Sequence, residues 1–457
     1  MHRLLFRSAA VSVLFAVATV AAGAAGAAGV APATIPAAAA VPAVPADPIE
    51  ARIVASVTAD HDRARSLLKE TVDINSGTMN FAGVKRVGVI FDREFKALGF
   101  KTHWVDGAPF HRAGHFVATH GSTGPKVLLI GHMDTVFAQD SPFQVMQLDG
   151  PDAGRGPGST DMKGGDVIMV SALRALRASG QLDRIQVRVF LAGDEEDRGE
   201  PTVLANAELL ADGDWADIAL GFENASGVPG EAATARRGAS GWRLEVTGKP
   251  SHSSQIFQPE VGDGAVFEAA RILDGFRRAL STEPMLTFNP GVIVGGTDVA
   301  LDHDSSRGTA FGKSNVVAQL VRVAGDLRAI SPEQLAMARK VMQDVVARHL
   351  PNTNATLEFG DGYPPMPPTP GNARLLAIYD RASQDLGLGA VAALDPRRAG
   401  AADISFVADR VDMALDGLGL KGPGNHTVDE KADLSTLDSQ AVRAGVTLYR
   451  LAKEPQR

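Results

Sequence analysis

Six residues have the types and spacings to do chemistry together: His132, Asp161, Glu195, Glu196, Glu223 and His426. They stand in short segments marked by glycine: GHMDT (131–135), GSTDMKGG (158–165), GDEED (193–197), GFEN (221–224) and GPGNHTVDE (422–430). Two imidazoles and three carboxylates suit a pair of zinc-like cations, and the remaining glutamate suits a general base. The combination points to metal-assisted hydrolysis. The chain has no cysteine, so any such metal is held by nitrogen and oxygen ligands, and no disulfide framework exists.

The elements that must position these groups follow from the apolar pattern. KVLLIGHMDT is a short apolar run ended by Gly131, the form of a buried parallel strand with His132 at its carboxyl end. RIQVRVFLAGDEED and DIALGFEN read as two further strands, ending at the Glu195–Glu196 pair and at Glu223. DVIMVSALRALRASG (166–180) reads as a helix closed by Gly180. Strand and helix in alternation imply a mostly parallel α/β sheet, whose functional groups collect beyond the carboxyl ends of its strands.

Each motif also has an ordinary reading. His132 and Asp134 share one side of the strand by its period of two, so Asp134 is placed to orient a ligating imidazole; alone, a His-x-Asp pair is equally a loop histidine. Asp161 either bridges two cations or caps the helix that follows it. Glu195 and Glu196 are consecutive, so one side chain can bind metal while the other faces the cleft as base. Their alternative is a solvated acidic loop. Glu223 is a lone acid ending an apolar strand, costly if buried unpaired. His426 sits in a glycine- and proline-shaped loop.

Around these motifs, 457 residues, 45% hydrophobic and 21% charged, suffice for two domains or a large domain with an insertion. From about residue 239 to 360 the order becomes strand, helix, strands, helix, strand, with Ser331 and Pro332 opening the second helix. That pattern fits a small α+β layer inserted into the larger domain, so the catalytic domain is expected in two parts, 49–238 and 361–457. The Pro-rich segment 361–371 is the return linker. Formal net charge is −8 without a long basic run, which argues against a nucleic-acid partner. At the amino terminus, Arg3 and Arg7 precede an apolar run too short for a comfortable membrane span. Residues 1–28 therefore read as a signal peptide, with an uncleaved anchor as the weaker option, and 29–48 as an Ala/Pro-rich leader. An exported protein, periplasmic or secreted and with no membrane attachment after signal removal, is expected.

Taken in order, the five motifs resemble the di-zinc exopeptidases that include glutamate carboxypeptidase (carboxypeptidase G), succinyl-diaminopimelate desuccinylase, acetylornithine deacetylase and aminoacylase. The likeness runs from about residue 55 to 453, and ARRGASGWRLEVTGKPSHSS (235–254) resembles the family's entry into a lid or dimerisation domain. The resemblance implies a zinc-exopeptidase fold and two zinc ions per subunit, with cobalt or manganese as other options. His132 and Glu223 would bind one ion, Glu196 and His426 the other, and Asp161 both. Glu195 would be the general base and Asp134 the supporting acid. His252 would help hold the oxyanion, across a homodimer in one version. Asn315 and Arg328 would contact substrate, the arginine through a carboxylate, and Gly400 would line the cleft. Asn315 as a turn residue and Arg328 as a surface arginine remain the plainer readings. The chain departs from the family pattern with Ser253 and Ser254 after the Ser-His pair, and with a long segment 295–315.

The function these readings imply is hydrolysis of a peptide or N-acyl amide bond next to a free carboxylate. A deacylase or dipeptidase with the same site is the alternative, and a non-catalytic exported binding protein the remote one.

Overall fold

The computed structural model describes residues 45–302, 307–360 and 362–454. The signal segment 1–28 and the leader as far as residue 44 lie outside the described residues. Among the described residues, no helix is long and apolar enough to cross a membrane.

The larger sheet has six strands in the spatial order Lys101–Asp106, Gly114–His120, Gln186–Ala192, Lys126–His132, Ile218–Gly221 and Met413–Leu415. The last four run parallel to one another; Gly114–His120 pairs antiparallel with both of its neighbours, so that it alone runs against the rest of the sheet. Strand Lys126–His132 lies between two parallel neighbours and is buried on both faces, which is why its sequence is continuously apolar rather than alternating. Its residues still sort by side. Val127 and Leu129 join the large core, while Leu128 and Ile130 join a smaller one with Phe190, Leu209 and Ile404.

Helix Lys163–Ala178 fills the large core and packs on helices Pro48–Ala59 and Ser435–Lys453. It begins three residues earlier than its apolar period suggests, because Lys163, Gly164 and Gly165 are themselves buried. After Pro48 the sequence has one continuous helical pattern, and the chain forms two helices there, Pro48–Ala59 and His61–Val72, broken at Asp60. Asp60 turns its carboxylate to Arg174 at 2.7 Å. Asp47 caps the first helix by accepting from the Ile49 N–H at 2.7 Å.

Between Ser240 and Phe359 the chain builds a second, four-stranded antiparallel sheet in the order Thr287–Gly296, Leu320–Arg328, Ser240–Gly248, Thr353–Phe359. Helices Gly264–Leu280 and Pro332–Val346 cover it around their own core of Trp242, Phe276, Val323 and Met342. Ser331 caps the second helix and Pro332 opens it. The long segment 295–315 supplies an extra hairpin, Asp298–Leu301 against Gly308–Phe311. The return segment is tied back to the start of this unit by paired bridges, Ala239 with Tyr363 and Arg236 with Met366.

Candidate metal centre

Strand Lys126–His132 delivers a fully buried His132 imidazole to the carboxyl edge of the larger sheet. Its Nε2 lies 3.2 Å from Asp161 Oδ1 and 3.4 Å from Glu223 Oε1. On the other side of Asp161, His426 Nε2 lies 3.1 Å from Asp161 Oδ2 and 3.1 Å from Glu196 Oε2. Two groups of donors, His132–Asp161–Glu223 and Asp161–Glu196–His426, thus share Asp161, with one carboxylate oxygen turned to each. Within each group the donor atoms lie within 4.8 Å of one another.

The electrostatics of the cluster call for positive charge. Burial pushes the Glu196 carboxyl up to about 7 and raises those of Glu223 and Glu195 as well. Burial also opposes ionisation of Asp161, but the imidazoles of His132 and His426 outweigh it and hold that carboxyl below the usual range. In turn Asp161 and Glu196 hold the His426 imidazole up at about 11. Glu196 Oε1 is buried and has no hydrogen-bond partner among the described residues. An acceptor left open in that position fits a cation, as does the all-N/O donor set. Bonds of about 2.0–2.2 Å to a tetrahedral ion put neighbouring ligand atoms roughly 3.3–3.6 Å apart, close to the separations found here.

The supporting contacts explain how loops distant in sequence reach these positions. Asp134 is completely buried and accepts from the Glu195 N–H (3.1 Å), the Glu196 N–H (3.1 Å) and the Thr78 hydroxyl (2.7 Å). Its carboxylate therefore fixes the turn that carries Glu195 and Glu196. His132 Nδ1 lies nearer the Asp134 carbonyl oxygen, 3.1 Å, than its carboxylate, 3.5 Å, so the backbone is the closer partner of the imidazole. Asp161 does not cap helix Lys163–Ala178, whose first turn has no side-chain cap.

Other positioning residues escaped the motif reading. Glu430, buried, accepts from the Gly158, Thr160 and Asp161 N–H groups at 2.9, 2.7 and 3.2 Å, and so clamps the Asp161 loop. Its signal was an acid closing the same loop that holds His426. Asp416 accepts from the Glu223 N–H at 3.3 Å and pairs with Arg236 at 2.8 Å. A side chain at Gly221 would collide with the Asp416 carboxylate, so the strand before Glu223 needs glycine there. Arg198, buried with Asp194 and Asp403, donates to the Tyr363 hydroxyl at 3.0 Å, and that hydroxyl donates to the Glu195 carbonyl at 2.8 Å.

Glu195 is only partly buried, and its carboxylate senses His132, Asp403, Glu223 and Glu196. The remaining expected residues stand apart from this cluster. His252 is exposed in the unit of the smaller sheet, with Nδ1 2.8 Å from the Ser254 hydroxyl. Asn315, also exposed, accepts from the Ser253 N–H through its backbone at 2.9 Å. Arg328 ends its strand with Nε 2.9 Å from Asp326 Oδ2. None of the three hydrogen-bonds to the cluster among the described residues. Gly400 is exposed, and its carbonyl accepts from Arg236 at 2.7 Å, which links its loop to Asp416 and thence to Glu223.

The chain resembles known proteins in both sequence and fold. Carboxypeptidase G2 of Pseudomonas sp. (strain RS-16) is 26% identical over 382 residues, which span 81% of this chain and 85% of that protein. A probable succinyl-diaminopimelate desuccinylase of Staphylococcus aureus (strain MRSA252) is 38% identical over 162 residues, 34% of this chain and 37% of that one. Among solved structures, aminopeptidase PepT of Bacillus cereus ATCC 10987 superposes with a TM-score of 0.69 at 19% identity, covering 86% of this chain and 99% of its own. A Bacillus subtilis protein described as a dinuclear metal-binding peptidase from the M20 family superposes at 0.58 and 15% identity, covering 86% and 99%. These structures share the fold, a mixed and mostly parallel sheet flanked by helices, as the strand pattern led us to expect. The model of peptidase family M20/M25/M40 matches residues 128–453, a stretch that takes in every residue of the cluster, and the chain is a member of that family.

Proposed function

We propose that the protein is an exported, two-cation hydrolase of peptide or N-acyl amide bonds next to a free carboxylate. The observation that carries this reading is the sharing of Asp161 by two histidine–glutamate pairs, one oxygen to each. His132 and Glu223 would hold one cation, Glu196 and His426 the other, and Asp161 both. Zinc fits this donor set, with cobalt and manganese as other occupants. Bound cations supply polarisation of the scissile carbonyl and a lowered pKa for the attacking water.

The chain's own groups do the rest. Glu195 takes the proton of the attacking water and passes it to the leaving amine. Its backbone is fixed on one side by Asp134 and on the other by Tyr363, which leaves only side-chain rotation to place the carboxylate. Arg328 receives the substrate carboxylate, Asn315 lies along the same unit, and Gly400 lines the cleft. His252 supports the oxyanion. Its exposed position, without a hydrogen bond to the cluster, suits a homodimer in which a second copy supplies it. Export rests on the amino-terminal segment alone. Carboxypeptidase, N-acyl amino acid deacylase and dipeptidase activities would use the same centre.

The test is Glu195→Ala. Metal content should stay near that of the wild type while turnover falls on the order of 10²–10⁴-fold. Unchanged turnover would remove Glu195 from the base role, and a binding protein without catalysis would show no chelator-reversible hydrolysis in the wild type.

A further inference from the structure

Beside the metal-ligand cluster a cavity of about 380 Å³ opens between loop 77–80, loop 135–139 and the turn 196–197. The two loops spend their polar groups on each other. The Thr78 N–H donates to the Thr135 carbonyl at 3.2 Å, and the Thr135 N–H to the Ser76 carbonyl at 3.0 Å. Asn75 Nδ2 donates to the carbonyls of Phe137 and Ala138 at 3.1 and 3.2 Å. The walls also carry two large apolar side chains open to solvent, Met79 at 63% exposed and Val136 at 40%, together with Ala138, while Asn80, Gln139, Glu196 and Asp197 supply the polar part of the lining. Glu196 belongs both to this wall and to the cluster, since its Oε2 faces His426. A cavity of this size is at the lower end of the range for small-molecule sites, with room for one medium-sized group.

We propose that this cavity is the acyl subsite and takes an uncharged apolar chain, branched, linear or aromatic, on the carbonyl side of the scissile amide. The assignment rests on the amide-hydrolase reading above. The side of the bond follows from the division of the molecule. Arg328, assigned to the carboxylate of the leaving amino acid, belongs to the smaller sheet, and no residue between Ser240 and Phe359 lines the cavity. The acyl portion is thereby directed to the loops of the larger sheet. Met79, Val136 and Ala138 offer no partner to a second carboxylate at the end of the acyl chain, and Asp197 on the wall is already paired with Arg112 at 2.8 Å, so a chain ending in a carboxylate is disfavoured there.

The experiment measures kcat/KM of the metal-loaded enzyme for the N-acetyl, N-hexanoyl and N-succinyl derivatives of a single amino acid. Binding of hexanoate against acetate, the corresponding acid products, is measured by calorimetry. Each buried methylene is worth roughly fourfold, so hexanoyl should exceed acetyl by at least about tenfold even with half the chain covered, and succinyl should fall below hexanoyl. Val136→Asp and Met79→Asp should each cut the hexanoyl-to-acetyl ratio and the hexanoate preference at least about fivefold. Amide hydrolysis with no chain-length preference, or with one that neither variant alters, would overturn the acyl subsite and leave the hydrolase reading standing. Failure to cleave any of the amides would overturn that reading and the subsite with it.

Discussion

The Tyr363 hydroxyl donates to the backbone carbonyl of Glu195 at 2.8 Å, although the two residues are 168 positions apart. Tyr363 belongs to the return segment and Glu195 to the turn after a central strand, so this bond fixes the proposed base from outside the sheet that carries it. Arg198 stacks over the Tyr363 ring, with the guanidinium carbon 5.6 Å from the ring centroid, and donates to its hydroxyl. The two bonds through that one hydroxyl tie the return segment to the turn.

Tyr363→Phe removes both bonds while keeping the ring. It should cost about 1–2 kcal/mol of stability and lower kcat about tenfold, with KM little changed, because the loss falls on positioning. Thermal unfolding and steady-state kinetics on the purified variant check this. An unaltered kcat would show that Tyr363 contributes only packing.

Glu430 clamps the Asp161 loop through three backbone N–H groups, and among the described residues it hydrogen-bonds to neither imidazole. Glu430→Gln, which replaces one acceptor oxygen by a donor, should weaken metal binding by about 10–100-fold, the range typical for residues that orient ligands. The fold should survive. Metal competition against a chelator gives the affinity, and circular dichroism the fold.

Chelation should abolish hydrolysis and lower Tm by on the order of 10 °C, since a cation held at about 1,000 times its Kd adds roughly 4 kcal/mol. Both should return on adding zinc. A Tm indifferent to chelator would mean that the buried carboxylates of the cluster are reconciled without cations.

A pH effect is expected away from the centre. Asp212 is buried, and burial raises its carboxyl to about 6 from the ordinary 3.8 despite Arg188 at 2.6 Å. The folded state then holds a proton that the unfolded state has released between those values, so stability is full below 3.8 and is lost as pH rises through 6, by roughly 3 kcal/mol. Asp212→Asn should flatten the Tm-against-pH curve between pH 4 and 6.5 relative to wild type. Parallel curves would show that Asp212 does not titrate in this window.

Much of this was legible in the chain itself. The strands Lys126–His132 and Ile218–Gly221 announced themselves because burial on both faces forces apolar runs, and Gln186–Ala192 because its second half is apolar; Gly131, Gly221 and Gly193 stand at or just past their ends. His132, Glu196 and Glu223 lie at or just beyond those strand ends, while Asp161 and His426 come from the loops 158–162 and 422–430 that the glycine-marked motifs had singled out. Positioning residues were harder to see. Asp416 and Asp403 act through backbone N–H groups and a buried arginine, contacts that no local spacing encodes. Strand period and resemblance placed Asp134 beside the imidazole, from which its carboxylate lies 3.5 Å, but did not show the three bonds that carboxylate makes to Thr78 and the turn of Glu195 and Glu196. The break at Asp60 left no trace in the helical period either; the partner of the Asp60 carboxylate, Arg174, is more than a hundred residues away.

Anomalous diffraction from crystals of the zinc-loaded protein, collected at the zinc edge, tests the shared role of Asp161 most directly. Two peaks are expected, one among His132, Asp161 and Glu223 and the other among Asp161, Glu196 and His426. A single peak, or zinc bound away from Asp161, would contradict a two-cation centre.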